Sequence, residues 1–94
     1  MNEPVVASSG NIFLDLGFPP DEAGVLSMRA DLMAQQRTMI HTRALTQEET
    51  ARLLGVHQSR VSDLVRGKWQ KFSLDMLVTL ALRAGMRVEM NLAA

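Results

Sequence analysis

Gly55 sits between two short segments that each carry a helical spacing of apolar residues, and it narrows the possible folds more than any other position. Ala51 and Leu54 precede it, and Val56, Val61 and Leu64 follow, at spacings that give each segment one inward face. A chain leaving a helix commonly passes through positive φ, which glycine adopts without a Cβ clash. The first segment opens on Thr46 with Glu49 three residues later, the pattern of a capping box in which each side chain binds the other residue's backbone amide. Residues 46–66 are therefore predicted to be two short helices joined by a tight turn.

The second helix begins with His57, Gln58, Ser59 and Arg60, with Ser62 and Asp63 further along the same polar side. When such a helix enters a major groove, the residues of its first turn are the ones that reach base edges. Glutamine pairs bidentately with adenine, arginine with guanine, and serine with either. Asp63 fits less well, because a carboxylate accepts from cytosine N4 but is repelled by phosphate; pairing with Arg60 or Arg66 on its own helix is the alternative. The bland reading makes the whole set a solvated helix face, but the fixed turn at Gly55 asks for more than solvation. Arg43, just before the Thr46 cap, is close enough to meet the same backbone of a duplex or to bind its own helix C-terminus.

The order Gln47, Ala51, Gly55, Val56, Gln58, Ser59, Val61, Ser62, Leu64, Arg66 and Gly67 resembles the helix-turn-helix regulators of the XRE family, the lambda-repressor-like group. The flanks Asn11 to Ala23 and Gly67 to Leu92 look like those of the small HigA-type antitoxins within that family, so the resemblance covers most of the chain. Two positions depart from the pattern: His57 stands where a capping serine, threonine or asparagine is more usual, and Thr50 where an apolar residue is. The resemblance implies a mainly α fold, a lambda-repressor-like bundle of four to five helices with a short N-terminal strand and a C-terminal β-strand. It also implies that Gln47 donates to a phosphate or braces Gln58, and that Lys68 and Lys71 contact the DNA backbone. The expected DNA-binding set is Arg43, Thr46, Gln47, His57, Gln58, Ser59, Arg60, Ser62, Asp63, Arg66, Lys68 and Lys71. HigA-type proteins bind a RelE-like ribonuclease toxin of the HigB kind and repress their own operon.

Charge is distributed in a way that suits this reading, although ten bases and ten acids leave the chain formally neutral. Residues 1–28 hold four acids and no Lys or Arg, whereas residues 29–71 hold eight bases against four acids. Positive charge thus gathers around the motif, which is what phosphate contact requires. A patch this modest points to a homodimer, which doubles the phosphate contacts. The acidic N-terminal part is the candidate surface for a basic toxin.

Ninety-four residues allow one domain, expected over residues 11–94 with a mobile tail at 1–10. No run approaches the ~20 apolar residues of a membrane span, and no basic-then-apolar leader opens the chain. Cysteine is absent, in keeping with a reducing cytoplasm. His41 and His57 have no companion ligands at a metal-binding spacing, and no catalytic triad or phosphate loop is legible, so neither cofactor, metal nor enzyme activity is expected.

In the flanks, Ile12, Leu14 and Leu16 alternate with Phe13 and Asp15, which predicts a strand, and Pro19-Pro20 then opens a long amphipathic helix to about Arg43. Met28, Met33 and Met39 are expected to fill its core face. Gly67 to Lys71 reads as a loop in which Trp69 packs over the end of the last helix or lies against a sugar-phosphate edge or a partner protein. Ser73 caps that helix, Phe72 and Leu77 form a hydrophobic staple, Leu74, Leu77, Val78, Ala81 and Leu82 face inward, and Gly85 closes it. Arg87 to Leu92 alternates polar and apolar residues, a half-buried strand in need of a partner, either the Ile12 to Leu16 strand or the same strand of a second chain. These features together predict a sequence-specific repressor binding double-stranded operator DNA as a homodimer, with a toxin partner. A stand-alone regulator, or a protein-interaction module that no longer reads DNA, are the rivals.

Overall fold

The computed structural model describes residues 10–93, so the tail expected over residues 1–10 falls almost wholly outside them. Five α-helices follow in order: α1 (Ile12–Asp15), α2 (Pro20–Thr42), α3 (Gln47–Leu54), α4 (Gln58–Val65) and α5 (Leu74–Arg83), with a 3₁₀ turn at Trp69–Lys71 before the last. No strand occurs among the described residues, and both expected strands are corrected.

The segment predicted as an N-terminal strand is α1. Asn11 accepts from the amides of Phe13 (2.9 Å) and Leu14 (3.4 Å), which satisfies two donors of the first turn. At the other end Gly17 takes φ +97°, and the amide of Phe18 returns to the Phe13 carbonyl at 3.0 Å, closing a Schellman turn. These local bonds override the alternation, and only Phe13 of the helix is buried. At the C-terminus, residues 86–93 are irregular and expose Met90 and Leu92 at 85% and 92%. With α1 helical, no strand among the described residues is present to pair with them.

Helix α2 starts as expected, with Pro20 in its first turn and Asp21 and Glu22 beside the positive end of the dipole. Its amino half covers α1 through Ala23 and Leu26, which pack with Phe13 in a small cluster. Its carboxyl half supplies Met33, Met39 and Ile40 to the main core, with Leu54, Leu64, Phe72, Leu77, Leu80 and Ala84. Met33 and Met39 fill core space as expected, but Met28 is 57% exposed. Trp69 touches both clusters: its ring lies edge-on to Phe13 at 5.5 Å, under the Arg29 guanidinium. Its ring partners, Phe13 and Arg29, lie on the N-terminal side of the fold.

The staple and cap of α5 are present: Ser73 accepts from the Met76 amide, and Phe72 and Leu77 are fully buried. Its inward stripe is Leu77, Leu80, Ala81 and Ala84, which leaves Leu82, expected in the core, 57% exposed. Asp75, Thr79 and Arg83 form an exposed polar stripe at a spacing of four, and Leu82, three residues after Thr79, lies on that outer side. Two polar side chains are wholly enclosed among the described residues, Gln36 and Thr50; Gln36 of α2 donates to the Leu77 carbonyl at 2.6 Å, while its Oε1 has no partner among the described residues.

Candidate nucleic-acid interface

The site grows out of the capping chemistry at Thr46. Its hydroxyl accepts from the Glu49 amide at 3.0 Å, and Glu49 Oε1 accepts from the Thr46 amide at 2.9 Å, so the box closes. That backbone hydrogen bond, reinforced by the Thr46 hydroxyl and by Arg52, holds the Glu49 carboxyl below its ordinary range. Thr50, at the position where an apolar residue is more usual, is buried, and its hydroxyl donates to the Thr46 main-chain carbonyl at 2.8 Å. A threonine is thereby accommodated where an apolar side chain would do.

Gly55 ends α3 at φ +69°, with its amide and that of Val56 both returning to the Ala51 carbonyl. This left-handed residue sets the turn, and Val56, Val61 and Leu64 then pack inward as expected. His57 occupies the N-cap position of α4 without a side-chain capping bond, as its departure from the usual residue type suggested. Gln58 and Ser59 are the first residues of α4, exposed, with no side-chain hydrogen bond to the described residues. Gln47, the first residue of α3, is exposed in the same way.

The other predicted contacts are more constrained. Arg60 is half-buried; its Nη1 donates to the Lys71 carbonyl at 3.0 Å and its guanidinium lies over the Phe72 ring at 5.4 Å. Asp63 pairs with neither Arg60 nor Arg66 but lies 3.6 Å from Lys68 Nζ and 3.5 Å from Lys71 Nζ. Arg43 reaches neither its own helix end nor open solvent alone: its Nη1 meets the Ala84 carbonyl at the end of α5, 3.3 Å away. Ser62 is half-buried, Thr46 keeps its hydroxyl in the cap, and Arg66 is exposed at the end of α4.

Several cations that sequence reasoning counted only as charge have structural partners. Arg29 donates to the carbonyls of Phe72 and Trp69, both at 2.9 Å, and Arg83 to the Leu54 carbonyl at 3.0 Å, where α3 ends. Such bonds hold the arginine in place while leaving its charge intact. Arg52 stands outside the expected set. It lines an open depression of about 450 Å³ with Glu48, Ala51, Gly55, Val56, His57 and Gln58, beside the first turn of α4. Its place one turn before Gly55 is the signal that would have found it.

A capped helix, a left-handed glycine turn and a second helix with an uncommitted polar first turn define a DNA-binding helix-turn-helix protein of the XRE-like kind. The chain belongs to the helix-turn-helix domain family, whose model matches residues 12–93. A comparison with curated proteins returned no match. No helix among the described residues is long and apolar enough to cross a membrane.

Proposed function

We propose that the protein is a sequence-specific transcriptional repressor that binds a palindromic operator as a homodimer. The observation that carries this is the pair Gln58 and Ser59, exposed and uncommitted at the start of α4, with Gln47 at the start of α3. Gln58 and Ser59 meet base edges; Gln47, Arg52, His57 and Arg66 approach the phosphates that flank them. Lys68 and Lys71 add charge from the following loop, partly offset by Asp63. Two copies related by a two-fold axis would set their α4 helices ~34 Å apart on successive groove faces.

The test is a salt titration against the chain's own upstream DNA. Affinity should fall with salt at a log–log slope of about −0.9 per phosphate neutralised. A flat response would favour the rival reading, an interaction module on the same scaffold, which the Asp63 pairing and the commitment of Arg60 favour.

The antitoxin role is the finer part of the reading. Among the described residues, six of the ten large apolar side chains left exposed lie between Ile12 and Met28: Ile12, Leu14, Leu16, Phe18, Val25 and Met28. The acids Asp15, Asp21 and Glu22 lie among them, and no base does. An apolar face rimmed by negative charge fits a basic protein such as a RelE-like toxin. Co-expression with a neighbouring toxin gene tests it: failure to co-purify or to suppress toxicity removes the role.

A further inference from the structure

Residues 87–93 are the longest stretch of the described chain outside its helices that leaves its backbone unused. None of the backbone hydrogen bonds formed outside the helices involves an N–H or C=O of these residues; the last one runs from the Met86 amide to Ala81. The sequence nevertheless alternates, with Met86, Val88, Met90 and Leu92 at even positions and Arg87, Glu89 and Asn91 at odd ones. Met90 and Leu92 are almost fully exposed, and Arg87 and Glu89 pair across one turn of the alternation at 2.7 Å, at side-chain exposures of 86% and 65%. Irregular in the single chain, the segment carries the alternation of an edge strand, apolar at even positions and polar at odd ones as far as Asn91.

We propose that this edge pairs with the same segment of a second copy, antiparallel, with Val88 on the two-fold axis. Antiparallel strands keep apolar residues opposite apolar ones only when a residue, and not the gap between two residues, lies on the axis. Arg87 on the axis would oppose arginine to arginine, and Glu89 would oppose glutamate to glutamate. Met90 on the axis would set Glu89 against Asn91 and Arg87 against Ala93, with no ion pair. Val88 alone places Arg87 of each copy opposite Glu89 of the other, twice, and sets Met86 against Met90 on the apolar face. The odd positions therefore select one register out of the four.

This inference rests on the homodimer reading and specifies its surface. The test uses the full chain in sedimentation equilibrium: wild type, Arg87→Glu, Glu89→Arg, and an equimolar mixture of the two variants with one tagged. Both side chains are exposed, so circular dichroism should show an unchanged helical fold. Each variant alone should dimerise at least ~10-fold more weakly, because two attractive cross-strand pairs become repulsive. The mixture should form a heterodimer of wild-type strength, since one chain then offers two acids and the other two bases. Variants that dimerise as tightly as the wild type overturn this register but leave a homodimer through another surface. Weakened variants whose mixture does not recover overturn it equally. A wild type that stays monomeric on operator DNA overturns the homodimer reading itself.

Discussion

Arg60 Nη1 donates to the Lys71 carbonyl at 3.0 Å, so the first arginine of the recognition helix fastens the loop that leaves that helix. The same guanidinium covers Phe72, a wholly buried core residue. Arg60→Ala should therefore lower stability by about 1 kcal/mol, read from the urea midpoint, as well as weakening DNA binding. Gln58→Ala should leave stability within ~0.5 kcal/mol and lose preference at one base position. Equal stability losses for both variants would contradict this division of labour.

Asp63 holds Lys68 and Lys71 at 3.6 and 3.5 Å, distances at which exposed pairs add little to folding. Asp63→Asn should change stability by less than ~0.5 kcal/mol. It should also tighten binding to non-specific DNA and steepen the salt slope, because it removes a negative charge facing phosphate and frees two lysines. Unchanged affinity in a filter-binding titration would show that these lysines do not face the duplex.

Ala44 takes φ +53° at the end of α2, where the other positive-φ positions of the described chain are glycines. Its Cβ makes that conformation unfavourable, while the amide of Leu45 still returns to Ile40 to close the turn. Ala44→Gly should raise stability by about 0.5–1 kcal/mol despite the greater freedom it gives the unfolded chain. A lower denaturation midpoint would mean that the unfolded-state entropy dominates.

The capping box carries a pH signature. The Glu49 carboxyl, lowered chiefly by its bond to the Thr46 amide, binds its proton less readily in the folded chain than in the unfolded one. Its contribution is thus fully present above the unfolded value of 4.5 and is lost as pH falls through the lower folded value. An NMR titration should place Glu49 below the ordinary glutamate range in the native protein and return it toward that range in Thr46→Ala. A Glu49 that titrates normally in both would mean that the box is open in solution.

Phe13 joins α1 to the body through Trp69, with ring centroids 5.5 Å apart. Phe13→Ala should cost ~3 kcal/mol and shift the emission of the sole tryptophan to the red as its ring becomes wetter. Loss of stability without a spectral shift would place Trp69 elsewhere in solution.

Features set by neighbours within four or five residues were legible in the sequence. The box at Thr46 and Glu49, the turn at Gly55 and the Ser73 cap with its Phe72 and Leu77 staple all depend on local geometry. The errors have equally physical origins. Four residues of α1 are too few to show a helical period, so the alternation of Ile12, Leu14 and Leu16 masked the capping Asn11 and the closing Gly17. In α5 the expectation followed the apolar residues alone, whereas the outward polar stripe of Asp75, Thr79 and Arg83 carries Leu82 with it and turns Leu80 inward. The bonds of Arg29, Arg43 and Arg83 span 29 to 43 residues and end on main-chain carbonyls, which no side-chain pattern announces. The expected DNA-facing residues came from residue chemistry; the fold leaves Gln47, Gln58 and Ser59 exposed, whereas Arg60 is held by the Lys71 carbonyl and Asp63 by Lys68 and Lys71.

One indole is mortared between the two hydrophobic clusters, and the peptide that carries it hangs from Arg29 of α2. The exit from the recognition helix is consequently moored to the N-terminal end of the molecule by direct touch. Phe13 of α1 and the segment that leaves α4 thus share one set of contacts, so the two ends of the molecule meet at a single side chain.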